Sequence, residues 1–269
     1  MPGKKVYQYS MAYLDVAILA AKEAGEIHKQ FFRKDFSVTT KTSSFDRVTE
    51  ADIEAEKKIV SVIRENFRDH NFLCEEHTYS KTSSGYTWII DPLDGTNNFS
   101  SGMPIFCASV AVMYEDQIIA GAIYDVTRDE LFFAEKGKGA FLNGSPITVN
   151  QATDLETALL ITGFYYDRGD EMIETLDKIK LFFTKRILGL RRLGAAALDL
   201  CYVASGRAAG FWEFELSPWD FAAGKLIIEE AGGSVTDREG NQIPLTEKSY
   251  VVASNGHIHP FMLETLKKP

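Results

Sequence analysis

Apolar residues recur along the chain with helical spacing in some segments and strand-like spacing in others. Helical spacing predicts a first helix over residues 9–32 and a second over residues 49–67. Thr49 is the predicted N-cap of the second helix, because its hydroxyl can accept hydrogen bonds from the first turn, where several acidic residues follow. A short extended segment and a polar loop are expected between the two helices.

From residue 86 onward the pattern favours strands. A short buried strand is predicted at residues 88–90, and Pro92 is expected to end its hydrogen-bonded ladder. The strands of a meander are predicted at residues 105–113, 118–124 and 130–134. Turns are expected at Glu115 with Asp116 and near Gly144.

In the second half of the chain, strand-like and helix-like segments alternate. Strands are predicted at residues 159–161, 186–190 and 210–214. Helices are predicted at residues 171–183, 195–205 and 219–231, before two short strands and a terminal helix. Alternation of this kind predicts layers of sheets and helices in two halves, residues 1–150 and 151–269.

Composition narrows the class of protein. Of the 269 residues, 45% are hydrophobic and 25% are charged, as in ordinary globular proteins. The net charge of −9 disfavours binding to nucleic acid or to an anionic membrane. Three scattered cysteines fit a reducing compartment. Because the N-terminal pattern shows no signal peptide and Glu115 and Asp116 interrupt the longest apolar stretch, we expect a cytoplasmic protein without a membrane span.

The strongest candidate chemistry follows the short buried strand. Asp91 and Asp94 are three residues apart, so both carboxylates can face one point, and the carbonyl of Leu93 can add a third oxygen. This set of hard oxygen ligands suits Mg²⁺. Gly95 and Thr96 then offer backbone N–H groups at the start of a predicted short helix, where a phosphate oxygen can bind. The alternative is a turn with Asx caps.

Three further acidic positions are weaker candidates when each is taken alone. Glu75 and Glu76 follow the apolar Phe72-Leu73 segment, and such pairs usually contribute only surface charge. Asp220 opens a helix rich in small residues, and Asp52 lies in the first turn of the second helix. An acid at the start of a helix usually complements the helix dipole.

Together and in order, these positions resemble the motifs of the inositol monophosphatase family. The family pattern is an Asp, a Glu-Glu pair, D-P-[IL]-D-G-[ST] and W-D-x-x-[AG]. The chain matches it at Asp52, at Glu75-Glu76, at residues 91–96 and at residues 219–223. The likeness covers nearly the whole chain. It implies the family's layered α-β-α-β-α sandwich of mixed sheets and helices.

The resemblance also implies a Mg²⁺-dependent, lithium-sensitive phosphatase that holds two to three ions. The first ion would be bound by Glu75, Asp91 and the carbonyl of Leu93. The second would be bound by Asp91, Asp94 and Asp220. A weaker third ion would share Glu75 with water.

The other roles implied by the resemblance concern the attacking water and the substrate. Thr96, with Glu75 and Asp52 nearby, would orient and deprotonate the water. The implied substrate contacts are Glu75, Leu93, Asp94, Gly95, Thr96, Gly194, Ala195, Ala196, Glu213 and Asp220. Lys41 falls in what resembles a mobile loop that closes over the metals.

The activity implied by the resemblance is hydrolysis of inositol monophosphate, or of a similar polyol or sugar phosphate, by a homodimer. Fructose-1,6-bisphosphatase activity, alone or combined, is the nearest alternative, because Arg191 and Arg192 could receive a second phosphate. Nucleotide 3′-phosphatase and histidinol-phosphatase activities are further alternatives. A regulatory protein that reuses the fold to bind a partner is another, although the presence of every motif acid favours the enzyme.

Overall fold

The computed structural model describes residues 12–34, 38–40, 47–164 and 169–267. The first two strands of the chain, β1 (Val38–Thr40) and β2 (Arg47–Thr49), pair antiparallel. Two larger sheets and seven helices make up the rest of the described elements.

The seven-stranded sheet comes entirely from the first half of the chain. Its strands are β3 (Asn71–Cys74), β4 (Tyr86–Asp94), β5 (Cys107–Tyr114), β6 (Gln117–Asp125), β7 (Glu130–Glu135), β8 (Ala140–Leu142) and β9 (Ser145–Ile147). They lie in sequence order across the sheet. β3 and β4 are parallel, so both end at the same edge, and the later pairs are antiparallel.

The five-stranded sheet comes from the second half. Its strands are β10 (Leu159–Thr162), β11 (Gly189–Arg191), β12 (Gly210–Leu216), β13 (Ser234–Thr236) and β14 (Ser249–Ser254). Across the sheet the order is β11-β10-β12-β14-β13. β10 is parallel to β11 and β12, and β14 is antiparallel to both of its neighbours.

The helices form three layers around the two sheets. They are α1 (Tyr13–Phe31), α2 (Glu50–Asn66), α3 (Thr96–Ser100), α4 (Asp170–Thr184), α5 (Ala196–Ala204), α6 (Pro218–Glu230) and α7 (His259–Leu266). α1 and α2 cover one face of the seven-stranded sheet, α5 and α6 lie between the two sheets, and α4 and α7 cover the far face of the five-stranded sheet. The predicted layered sandwich is therefore confirmed.

The middle helical layer joins the two halves. Its apolar residues pack in one cluster with residues of both sheets, including Phe132 on one side and Val251 on the other. β6 approaches α6 closely, since a Cβ added at Gly121 would lie 3.1 Å from the Cα of Ala223. The division at residue 150 remains a prediction.

The predicted bounds of two strands were wrong. β4 does not end before Pro92 but continues to Asp94, because a bulge absorbs the proline and the ladder resumes where Asp94 faces Cys107. β11 begins at Gly189 rather than at Arg186, since the backbone at residues 185–187 is used to close the end of α4. The first helix begins at Tyr13, and the N-terminal part of its predicted range lies outside the described residues.

Two adjacent aromatic residues of α4 offer a matched test of this packing. Phe182 is fully buried, with its ring centroid 4.6 Å from that of Trp212, whereas Phe183 is 53% exposed. We expect Phe182→Ala to lower the free energy of unfolding by about 3–5 kcal/mol. Phe183→Ala should change it by no more than about 0.5 kcal/mol. Equal effects in denaturant titrations would contradict the placement of α4.

Candidate active site

A cavity of about 260 Å³ lies where elements of both halves meet. Its wall contains most of the residues predicted as site residues. These are Glu75, Asp91, Leu93, Asp94, Gly95, Thr96, Gly194, Ala196, Glu213 and Asp220. Asp52 and Ala195 are buried and do not belong to the wall.

The end of β4 brings Asp91 and Asp94 to this cavity. The backbone N–H of Leu93 donates to Asp91 Oδ1 at 3.0 Å. The Asp91 side chain therefore stabilises the bulge that contains Pro92. Asp94 accepts from the N–H groups of Ala196 and Ala197, at 3.2 and 2.7 Å. The start of α5 therefore holds Asp94 in place.

Gly95 allows the chain to turn from β4 into α3. Its φ is +91°, a left-handed conformation that residues with a side chain rarely adopt. A Cβ at this position would also lie 2.8 Å from the carbonyl oxygen of Ile105. Both constraints favour glycine, and the turn places Thr96 at the first position of α3.

Thr96 is linked to the buried start of α2. Its hydroxyl oxygen lies 2.9 Å from Asp52 Oδ1 and 2.9 Å from the carbonyl oxygen of Leu93. Asp52 Oδ2 in turn accepts from the N–H and the hydroxyl of Thr49, which is the N-cap of α2, as predicted. Asp52 thus lies behind the cavity wall and contacts it through Thr96.

Parallel pairing of β3 with β4 places Glu75 beside Asp91. Cys74 pairs with Ile90, and the N–H of Glu75 donates to the carbonyl oxygen of Ile90 at 3.2 Å. Asp220 reaches the same cavity from the first turn of α6, where its Oδ2 accepts the N–H of Ser217 at 2.7 Å.

The acids of the cavity strongly affect one another. Burial raises the pKa of Asp91 well above its usual range, and the charges of Glu75, Asp94 and Asp220 raise it further. Burial and the charges of Glu75 and Asp94 also raise the pKa of Asp220. The pKa of Asp94 is raised by burial to about 7, although the N–H groups of α5 oppose the shift. Burial raises the pKa of Asp52 to about 6.

The donor set fits a hard divalent cation. Four carboxylates and the Leu93 carbonyl are all oxygen ligands, which Mg²⁺ prefers. Among the described residues, no three such side chains are arranged to hold an ion in their present conformations. Mutual repulsion opposes such close approach, and a bound cation offsets that repulsion.

Glu213, which also lines the cavity, lies against Gly163. Its carboxylate occupies the space that a Cβ at position 163 would need. Burial raises the pKa of Glu213 to about 8, and the positive charge of Arg192 opposes this shift. Arg192 stacks over the Phe164 ring, with 5.9 Å from its guanidinium carbon to the ring centroid.

Several residues in or next to the cavity wall were not predicted from the sequence. Phe164 and Lys248 also line the cavity, and no motif marks either of them. Asn98 donates to the carbonyl oxygens of Ile105 and Leu193, both at 2.8 Å, and so ties α3 to the segment before α5. Lys41 lies outside the described residues.

Comparison with known proteins identifies the relatives of this chain. The profile described as the inositol monophosphatase family matches residues 11–268. The chain belongs to this family. It is 42% identical over 260 residues to the chloroplastic phosphatase IMPL1 of Arabidopsis thaliana, covering 94% of this chain and 69% of that protein. It is 41% identical to the Nus factor SuhB of Pseudomonas aeruginosa, covering 94% and 95% of the two chains.

Solved structures of inositol monophosphatases share the fold. The Thermotoga maritima IMPase superposes with a TM-score of 0.86 at 37% identity, covering 95% of this chain and 97% of that one. An IMPase/NADP phosphatase complexed with Mg²⁺ and phosphate superposes with a TM-score of 0.81 at 27% identity, covering 92% of each chain. Membership of this family identifies the chain as a phosphatase. No described helix combines the length and apolarity needed to cross a membrane.

The buried acids predict how stability depends on pH without metal. Asp52, Asp94 and Glu213 keep their protons in the folded protein up to about pH 6, 7 and 8, whereas the unfolded chain releases them near pH 4. The native state then binds more protons, so stability falls as pH rises from about 4 to about 8. Each group contributes at most about 1.4 kcal/mol per pH unit.

We expect denaturant titrations of metal-free protein to show this fall between pH 5 and pH 8. Asp94→Asn, which cannot ionise, should show a shallower fall, and the exposed Asp116→Asn should match the wild type. If the free energy of unfolding fell equally steeply with pH in the wild type and in Asp94→Asn, the raised pKa of Asp94 would be contradicted.

Proposed function

We propose that the protein is a Mg²⁺-dependent phosphomonoesterase acting on inositol monophosphate or a similar polyol or sugar phosphate. The observation that carries the proposal is the convergence of Glu75, Asp91, Asp94 and Asp220 on one cavity, beside the Thr96–Asp52 pair. Membership of the inositol monophosphatase family and the solved neighbour complexed with Mg²⁺ and phosphate support it.

In this proposal two to three Mg²⁺ ions are held by Glu75, Asp91, Asp94, Asp220 and the carbonyl of Leu93. Ions bound there would polarise the phosphoryl group as Lewis acids and would lower the pKa of a water. The residues already support that role structurally. Backbone N–H groups hold one oxygen each of Asp91 and Asp220, and both oxygens of Asp94.

Thr96 and Asp52 are the proposed proton acceptors. The Thr96 hydroxyl has one proton and two possible acceptors, Asp52 Oδ1 and the Leu93 carbonyl. With the Leu93 carbonyl engaged as a metal ligand, the Thr96 hydroxyl would donate to Asp52. The Thr96 oxygen would then accept a proton from the attacking water as its own proton passes to Asp52. Asp52 can then take up the transferred proton, because burial has raised its pKa to about 6.

The substrate is proposed to lie between the acids and Glu213. Backbone N–H groups of Gly95 and Thr96, at the start of α3, would donate to the phosphate oxygens. Glu213 would accept hydrogen bonds from the hydroxyls of the alcohol, and Gly194 and Ala196 would contact it by their backbone. Ala195 would contribute less directly, since it lies behind the wall.

A bisphosphate substrate is a second candidate. Arg192 and Lys248 bring positive charge to a cavity that is otherwise acidic, and a second phosphate could bind there. Fructose 1,6-bisphosphate has the matching charge pattern. A phosphate-release panel over inositol 1-phosphate, fructose 1,6-bisphosphate, histidinol phosphate and adenosine 3′,5′-bisphosphate, with Mg²⁺ titrated, separates these substrates. A purely regulatory protein would release phosphate from none of them.

The proposal also includes a homodimer, inhibition by Li⁺ and a cytoplasmic location. The homodimer and the inhibition by Li⁺ are implied by the family likeness, whereas the location is inferred from the sequence pattern. A relative named chloroplastic and relatives named Nus factors show that location and partners differ among similar proteins.

Asp94→Asn tests the proposed metal site. The change removes a negative charge from the acidic cluster, so we expect phosphate release at saturating Mg²⁺ to fall to background. One N–H of α5 also loses its acceptor, at a cost of about 1–3 kcal/mol. Circular dichroism should still show a folded protein. The exposed Asp116→Asn serves as the control, and wild-type turnover in the Asp94 variant would refute the site.

Gly163→Ala tests the role of Glu213 in recognising hydroxyls. The new Cβ must displace the flexible Glu213 carboxylate rather than backbone, so the fold should persist. Above about pH 8, where Glu213 is ionised, loss of its charge-assisted hydrogen bond to the substrate costs about 1.5–3 kcal/mol. We therefore expect KM for inositol 1-phosphate to rise about 10–100-fold.

Hydrolysis of p-nitrophenyl phosphate, which has no alcohol hydroxyls, should change little in the same variant. Gly189→Ala in β11 is the matched control, since its Cβ would meet Leu159 at an ordinary 3.4 Å. An unchanged KM for inositol 1-phosphate in Gly163→Ala would show that Glu213 does not form hydrogen bonds with the substrate hydroxyls.

A further inference from the structure

Glu56 is a fully buried acid to which the proposed reaction assigns no role. It lies in α2 one helical turn after Asp52. Its Oε2 accepts the backbone N–H of Glu76 at 2.9 Å. Its Oε1 lies 2.7 Å from His77 Nδ1 and accepts the hydroxyl of Tyr79 at 3.2 Å.

These contacts hold the chain immediately after Glu75. On one side, the N–H of Glu75 is held by the carbonyl oxygen of Ile90. On the other side, the next N–H, that of Glu76, is held by Glu56. The peptide groups before and after Glu75 are therefore both restrained, although residues 77–80 form neither helix nor strand.

The chemistry of the contacts explains why a carboxylate stands here. The Glu76 N–H and the Tyr79 hydroxyl both donate to it, and the His77 ring can do so as well, so the group must accept several hydrogen bonds at once. A buried charge is costly unless such donors satisfy it. Glutamine has nearly the same size, but only one of its two terminal atoms is an oxygen. Its NH₂ group would face donors on one side and could not accept their hydrogen bonds. Charge and geometry thus single out glutamate.

Two acids of α2 then support two parts of the cavity wall. Asp52 accepts from Thr96, and Glu56 accepts from the segment after Glu75. Because the two acids are four residues apart, they lie on the same face of the helix. One rigid element thereby sets the relative position of Thr96 and Glu75.

We propose that Glu56 is a positioning residue that directs the Glu75 side chain into the cavity through the backbone of Glu76. The inference rests on the proposed function, in which Glu75 is a metal ligand. Outer partners that orient metal ligands typically change metal affinity 10–100-fold when they are replaced.

Mn²⁺ binding measured by electron paramagnetic resonance tests the inference without relying on turnover. We expect Glu56→Gln to raise the Mn²⁺ dissociation constant about 10–100-fold. In parallel phosphate-release assays, the Mg²⁺ concentration for half-maximal rate should rise by a similar factor. The kcat at saturating Mg²⁺ should recover largely, because the variant keeps all the ligands.

Two variants in α2 serve as controls. Glu54→Gln changes an exposed acid that pairs with Lys57, so it should leave Mn²⁺ binding unchanged. Val62→Ala removes buried apolar volume on the same helix and should lower stability without changing Mn²⁺ affinity.

The outcomes separate this inference from the proposed function. Wild-type Mn²⁺ affinity in Glu56→Gln, or a loss matched by Val62→Ala, would overturn the positioning role while leaving the proposed function intact. A wild-type protein that neither binds Mn²⁺ nor releases phosphate would overturn both.

Discussion

Repulsion among buried acids is the constraint on which the rest of the site depends. Burial raises the pKa of Asp91, Asp94 and Asp220, and the charge of Glu75 adds to each of these shifts. The fold must therefore offset the cost of bringing these groups together. It does so partly with backbone N–H groups, above all at the start of α5 and at the start of α6. A divalent cation would offset what remains.

The layered architecture explains why the acids meet despite their distance in sequence. Parallel β3 and β4 end at one edge, which places Glu75 next to Asp91. The helical layer between the two sheets contributes Asp220 and the N–H groups that hold Asp94. Behind the wall, α2 supports Thr96 through Asp52. The site is thus assembled from strand ends and helix starts that are distant in sequence.

Short sequence motifs and the spacing of apolar residues predicted much of the fold and of the site. The D-P-L-D-G-T segment, the N-cap at Thr49 and the alternation of strands and helices each follow from short-range chemistry, and the family resemblance joined them into one site. Contacts that depend on packing left no such signal. The bulge at Pro92, the space that Gly163 leaves for Glu213 and the burial of Glu56 arise only when distant segments pack together.

Crystals of the protein soaked with Mn²⁺ test the central claim most directly, because anomalous scattering locates the ion without reference to activity. The account predicts anomalous peaks within about 2.0–2.3 Å of oxygens from Glu75, Asp91, Asp94 and Asp220. Peaks only at other surfaces, with these four side chains left without an ion under saturating Mn²⁺, would contradict it.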